Sequence, residues 1–244
     1  MRTVVWVSAG AASAVAAKLT PNAVLAYCET GSEHPDNERF LRDVSAWCRR
    51  PIERIRSDKY ASTWDVWEKR RYLAGIGGAL CTTELKVFPR LEWQQPGDVH
   101  VFGYTDDKAD RVRANRLRLN YPDMEIRTPL IDANINKAGA LAMIERAGIT
   151  LPPLYALGFQ NNNCLPCVKA TSPAYWALVR KTFPDKFERM AKLSRELDVR
   201  LARIGEDRVF IDEIPMDHHT TDPIQPSCDF LCALAEIGLT EAAK

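Results

Sequence analysis

The sequence predicts an α/β fold: a mostly parallel sheet flanked by helices, followed by a helical, cysteine-containing C-terminal region. Two observations predict it. Short apolar runs alternate with helix-period segments through residue 148, which is the pattern of strands joined by helical crossovers. From Leu151 onward Pro152-Pro153, Asn161-Asn162-Asn163 and Pro166 break that alternation, so the chain divides into an α/β part over 1–150 and a C-terminal part over 151–244 packed on it. With 244 residues there is ample length for a buried core.

The first strand is Val4-Val5-Trp6-Val7, and the Ala-rich stretch from Ala11 to Leu19 is a helix. Between them Ser8-Ala9-Gly10-Ala11-Ala12-Ser13 is made of small residues. A strand running into a helix N-terminus directs several backbone N–H groups to one spot, where the helix dipole favours an anion. Small side chains let a phosphate approach, and the Ser8 and Ser13 hydroxyls add hydrogen bonds. An ordinary strand–loop–helix turn has the same composition. After the Pro21-Asn22 break, Ala23 to Tyr27 is a second strand, ending in the polar loop Cys28 to Pro35 at the sheet edge where α/β proteins bind ligands.

Phe40, Leu41, Val44 and Trp47 recur at helical spacing, giving a helix from Asn37 to Cys48, and Ile52 to Ile55 is a third strand. Tyr60 to Arg71 reads as helix, Gly75 to Gly78 as a loop, and Cys81 as a residue of a further loop. Val99 to Tyr104 is a strand, followed by a helix carrying Arg111. Glu125 to Thr128 with Pro129-Leu130-Ile131 forms another strand end, and Asn136 to Ala147 is an amphipathic helix closed by Gly148. In the C-terminal part, helices are expected near Ser172–Lys181 and Asp185–Arg203, with Val209-Phe210-Ile211 as a strand. Trp176 and Phe183 read as core rather than as a base-stacking platform, and Asn161 to Asn163 as residues that turn the chain.

Lys and Arg total 33 against 32 Asp and Glu, so net charge selects no partner. Basic clusters at Arg49-Arg50, Lys69-Arg70-Arg71, the Arg111 to Arg118 helix and Lys169 to Lys181 permit phosphate or nucleic-acid binding without requiring it. Neither a signal segment nor an apolar run of transmembrane length is evident, so a cytoplasmic protein with no membrane partner is expected. Seven cysteines in a reducing compartment direct attention to metal or redox chemistry. Cys164-Leu165-Pro166-Cys167 places two thiols on one side of a turn, and Cys228 and Cys232 fall on one face of a helix. With Cys81 these supply ligands for a cluster or zinc, a redox pair at Cys164 and Cys167, or unrelated buried thiols. Lone Cys28 and Cys48 read as small buried hydrophobes.

Taken in order, these segments resemble the phosphoadenosine phosphosulfate (PAPS) reductase family of the PP-loop, adenine-nucleotide-hydrolase-like superfamily. Ser8 to Ser13 stands where that family has SGGxDS, and Glu29 to Pro35 resembles its DTG…P segment. Cys81-Thr82-Thr83-Glu84-Leu85-Lys86 resembles its C-C-x-x-R-K element, and Gly103-Tyr104 with Arg111 its G-x-R…R element. Pro129-Leu130-Ile131 with Leu151 to Gly158 resembles PL…P-x-x-LY-x-x-G, and Asn163-Cys164-Leu165-Pro166-Cys167 resembles G-C-x-x-C.

The resemblance implies a PP-loop-type fold and an adenine nucleotide (ATP, or PAPS or its unphosphorylated form, APS) held by Ser8, Gly10, Ser13, Thr30, Gly31 and Gly103. It implies Lys86 and Arg111 as catalytic cations and a [4Fe-4S] cluster, with zinc as alternative, on Cys81, Cys164, Cys167 and Cys228. Cys232 becomes the late catalytic thiol, with His218-His219 as basic neighbours. A thiol or electron donor protein and a homo-oligomeric state belong to the same expectation. Two departures stand out: Ala12 replaces the loop aspartate, and the family's C-terminal E-C-G-x-H is missing. A reductase, an ATP-dependent sulfurtransferase acting on a base or small acceptor, and a non-enzymatic binding module are all compatible with these features.

Overall fold

The computed structural model describes residues 1–75 and 77–227. Cys228 and Cys232 therefore lie outside the described residues. The first half builds a parallel sheet from β1 (Thr3–Val7), α1 (Ala11–Leu19), β2 (Val24–Cys28), α2 (Asn37–Cys48) and β3 (Ile52–Ile55). Next come α3 (Thr63–Arg70) and a small antiparallel hairpin of β4 (Ala74–Gly75) and β5 (Gly78–Ala79). A continuous helical stretch follows: α4 (Leu80–Thr82), a π-helical turn (Thr83–Val87) and α5 (Phe88–Trp93). Then β6 (Val99–Phe102), α6 (Lys108–Asn120), β7 (Glu125–Arg127), α7 (Pro129–Asp132) and α8 (Lys137–Arg146) complete the sheet and its cover. The C-terminal part comprises α9 (Pro153–Ala156), α10 (Pro173–Thr182), α11 (Pro184–Glu196), the hairpin β8 (Ala202–Ile204) and β9 (Asp207–Val209), and a 3₁₀ turn at Ile211–Glu213.

The five-stranded sheet has the order β3-β2-β1-β6-β7 and every pairing is parallel. Side chains alternate across it as a two-residue period requires. Val5, Val7, Leu25, Tyr27 and Val101 face a core shared with α1, α2 and α8, while Val4, Trp6, Ala26 and Cys28 face the other side, toward Trp93. The chain reverses direction between β1 and β6 in strand order, which leaves a crevice at their carboxyl ends.

α1 is short and alanine-rich, so it forms readily and lies close on the sheet. Arg50 closes its far end, donating to the carbonyls of Ala17, Thr20 and Ala23. The Lys69-Arg70-Arg71 run is likewise internal in its use, each member pairing with an acid: Asp65, Glu84 and Glu196.

A second core joins Leu154, Phe159, Leu165, Trp176 and Met190 to Trp67, Leu73 and Ala79. The C-terminal part thus shares its core with residues that precede position 150. Trp176 is fully buried and Phe183 packs against this core, as expected.

Four local readings are corrected. Cys81 sits on the helical stretch rather than in a loop. Pro129 opens a short helix, its missing N–H being harmless at a first helical position. The last long helix ends at Glu196 because Asp198 adopts φ 51°, well short of Arg203, and Ile211 belongs to a 3₁₀ turn rather than a strand. Among the described residues no helix is long and apolar enough to cross a membrane.

The start of β1 is clamped to β6 by a bidentate pair, Arg2 donating to Asp98 through Nε at 2.9 Å and Nη2 at 2.6 Å. The guanidinium holds the buried Asp98 carboxyl below its usual range, against the opposing effect of burial. A depressed carboxyl stabilises the fold above its unfolded value, near pH 4, and loses that contribution as pH falls through the lower folded value. Asp98→Asn is expected to cost about 1–2 kcal/mol at pH 7. In urea titrations from pH 7 to 2, the gap between variant and wild type should close only on the acid side of about pH 4.

Candidate active site

The crevice between β1 and β6 opens into a cavity of about 420 Å³. Of the residues expected to hold a nucleotide, Ser8, Gly10, Ser13 and Gly103 line it, and so does Lys86. The Ser8–Ser13 turn is held by its own hydroxyls. Ser13 Oγ donates to the Gly10 carbonyl at 2.9 Å and accepts from the Ser8 amide at 3.0 Å. Ala9 takes φ 56°, in the left-handed region, which turns the chain sharply into α1.

By helix geometry the amides of Ala11, Ala12 and Ser13 lack intrahelical acceptors, and Gly10 provides no side-chain cap. The Tyr155 hydroxyl accepts from Ala11 N at 3.1 Å and also bonds the Asn162 backbone. Ala12 and Ser13 line the cavity, so its wall includes the positive end of the helix dipole.

Asn162 is the second member of the Asn run and does more than turn the chain. Its buried side-chain amide donates to the Ala9 carbonyl at 2.6 Å and to Asn37 Oδ1 at 2.8 Å. It ties the loop ahead of Cys164 to the Ser8–Ser13 turn and to α2. Neither Asn162 nor Tyr155 stood out among the sequence's candidate site residues; their roles depend on contacts across more than a hundred residues.

Thr30 and Gly31 do not line the cavity. They pack instead against Glu33, Cys164 and Ala61. Glu33 accepts from the Thr30 amide at 2.9 Å, from the Thr30 hydroxyl and from the Ser32 amide at 3.1 Å. Gly31 has φ 62°, and a Cβ there would lie 2.0 Å from the Ala61 carbonyl oxygen, so only glycine fits.

Thr30 Oγ1 also lies 2.8 Å from Cys164 Sγ. Since the Thr30 hydroxyl proton goes to the carboxylate, the thiol donates to Thr30. Burial pushes the Cys164 thiol up to about 11, despite the opposing charge of Lys86. Cys28, which lines the cavity, is also raised by burial to about 11, and burial raises Cys81.

Lys86 stands between cavity and thiols. Burial would lower its pKa, but the charge of Cys164, when ionised, and of Glu33 raises it overall, so the ammonium stays charged. Arg111 is elsewhere: its exposed guanidinium pairs with Asp106 on the outside of α6. Arg113, two residues on, lines the cavity in its place, with Lys137 and Lys169. His218 and His219 stack on each other with ring centroids 4.4 Å apart and are not among the cavity lining.

Cys164 and Cys167 lie within electrostatic reach of one another, and Cys167 of Cys81. No group of three or more His, Cys, Asp or Glu among the described residues is disposed to hold a metal ion. The described thiols therefore do not by themselves fit a cluster or a zinc site. Cys228 and Cys232, the expected completing residues, fall outside the described chain.

No protein-family model matches this chain, and no curated protein does. Among solved structures it is similar to the phosphoadenylyl-sulfate (PAPS) reductase from Candida auris, in its phosphate complex. The identity is 15% and the TM-score 0.49, over 67% of this chain and 81% of that one.

Two outcomes follow from this geometry. A Cβ on Gly103 would lie 2.6 Å from Ser13 N and Cα, so Gly103→Ala must push α1 off the sheet. It should cost about 1–3 kcal/mol in denaturant unfolding and abolish anion binding at the turn. Because the thiolate is the reactive form, alkylation of Cys164, followed by mass spectrometry of its peptide, should rise about tenfold per pH unit between pH 8 and 10. A plateau below pH 9 would contradict the raised value.

Proposed function

We propose that this chain is an enzyme that binds an adenine nucleotide in the cavity and acts on a sulfur oxyanion attached to it, as a reductase of the PAPS type. The observation that carries this reading is the meeting, in one cavity, of the α1 N-terminus with the charged Lys86, Arg113, Lys137 and Lys169. Backbone N–H groups and a helix dipole suit a phosphate ester, and fixed cations suit its further oxyanions. The order of sequence motifs supports the sulfur chemistry.

In this reading the α1 amides orient the nucleoside phosphate and Lys86 neutralises the oxyanion nearest the thiols. The Tyr155 hydroxyl holds the turn in place by occupying the Ala11 amide. A thiolate attacks the sulfur, its S–O bond breaks and the nucleoside phosphate departs, leaving a cysteine S-sulfonate; a thiol of the dithiol donor then attacks the cysteine sulfur, sulfite leaves and a disulfide forms. Cys232 is the expected nucleophile. An iron–sulfur cluster, where bound, would supply electrostatic or electron-transfer chemistry beside the sulfur. Among the described residues Cys81, Cys164 and Cys167 are not gathered as a ligand set, so no step here runs through a cluster. Iron and sulfide content after anaerobic purification, compared with Cys164→Ser, tests that separately from nucleotide binding.

The decisive experiment is calorimetric titration with AMP, ATP, APS and PAPS, followed by assay of the products with a dithiol donor. Sulfite release without ATP consumption supports the reductase. Pyrophosphate or AMP release from ATP, dependent on a sulfur donor, would instead establish a sulfurtransferase. Absence of binding by all four nucleotides would overturn both. Lys86→Ala should weaken the sulfated nucleotides by about 1.5–3 kcal/mol, roughly ten- to a hundredfold, and AMP by less.

A further inference from the structure

The cavity has a second polar anchor, one helical turn beyond Lys86. Arg90 lies on α5, lines the cavity, and is only 7% exposed. Its Nε and Nη2 are both buried and have no hydrogen-bond partner among the described residues. Those two N–H groups form one edge of the guanidinium, with parallel donors spaced for two oxygens of a single group. Arg2 uses the same edge on Asp98, with bonds of 2.9 and 2.6 Å.

The surroundings do not satisfy this edge. Tyr121 lies against the guanidinium, 5.2 Å from Cζ to ring centroid, which stabilises the cation without accepting from those donors. His100 Nδ1 already accepts from Trp6 Nε1 at 3.0 Å, and burial, with Arg90 next, lowers the pKa of this histidine. Among the described residues the one carboxylate lining the cavity, Asp110, is taken by Thr105 and Arg113. A guanidinium cannot shed its proton to escape burial. Leaving its donors bare is costly unless something entering the cavity meets them.

We propose that Arg90 is a binding residue for a second oxyanion of the ligand, a phosphate, sulfonate or carboxylate gripped by Nε and Nη2 and walled by Trp6, Tyr104 and Tyr121. The proposal deepens the reading of the same cavity and rests on its being the ligand site, whichever reaction occurs there. An oxyanion fits better than the edge of a neutral base because it also neutralises the buried charge. The second oxyanion has two possible sources: a further phosphate on the nucleotide, or a separate small anion bound beside it.

The test titrates wild type, Arg90→Gln and Arg90→Lys with AMP, with the 2′,5′- and 3′,5′-bisphosphates of adenosine, and with sodium sulfate in the absence and presence of saturating AMP. In parallel, the Arg90 Nε–H resonance of ¹⁵N-arginine-labelled wild type is followed during each titration. Wild type should bind one bisphosphate at least tenfold more tightly than AMP, or bind sulfate beside AMP. That ratio should fall toward one in Arg90→Gln and only partly recover in Arg90→Lys, which keeps the charge without the fork. Preference for a bisphosphate identifies the nucleotide as the source; sulfate binding identifies a separate anion. Arg90-dependent sulfate binding with no affinity for any nucleotide would remove the nucleotide reading and retain the oxyanion site. An unchanged ratio in Arg90→Gln, or an Nε–H resonance that none of the ligands moves, overturns the proposal, and the resonance does so even if the variants fail to fold.

Discussion

The closeness of α1 to the carboxyl end of β6 is the constraint on which the site depends. It exists because Gly103 carries no Cβ where Ser13 and Ala12 backbone atoms pass, and because the buried face of α1 is almost wholly alanine. With the helix held there, its unpaired amides open onto the crevice between β1 and β6. Lys86 and Arg90 then approach from the helical stretch that crosses the far face of the sheet. A larger residue at Gly103 would not simply crowd the cavity; it would separate the α1 N-terminus from the cations that line the other side.

Charge in this site is arranged by exclusion. The cations face the cavity, whereas Glu33 behind it is occupied by Thr30 and Ser32 donors. Burial raises the Cys28, Cys81 and Cys164 thiols above their usual range, so at neutral pH these three add no negative charge beside the cations of the cavity. Several basic runs conspicuous in the sequence serve the fold instead. Arg50 closes a helix, Lys69, Arg70 and Arg71 pair with acids, and Arg111 pairs with Asp106. These pairings explain why a nearly balanced chain still has a cationic cavity.

Much of the sheet was legible in the sequence. The bounds of α1, α2 and β3 could be read because apolar period and chain breaks agree there. The helical stretch across Cys81 was not, since Thr82, Thr83 and Val87 are poor helix formers and tertiary packing overrides them. Site residues divide in the same way. Ser8, Gly10, Ser13, Lys86 and Gly103 carry local signatures and do line the cavity. Arg113 rather than Arg111 does so because residues two apart on a helix point to nearly opposite sides. Arg90 carries no local signature, and the motif and Asn run that held Tyr155 and Asn162 gave no hint of their roles; what distinguishes all three is burial, and for Tyr155 and Asn162 partners distant in sequence.

The bonds from Asn162 to Ala9 and Asn37 have a consequence for how such a protein can change over generations. The Ser8–Ser13 turn and the cysteine-bearing loop are soldered through one buried amide, so neither is a free module. A cassette carrying a different thiol arrangement could be transplanted after residue 150 only if it brought its own equivalents of Tyr155 and Asn162. Without them, the Ala11 amide and the Ala9 carbonyl would lose their partners. Inheritance at this junction is therefore expected to be joint, with the ligand-holding and thiol-bearing segments diversifying as one lineage rather than by shuffling.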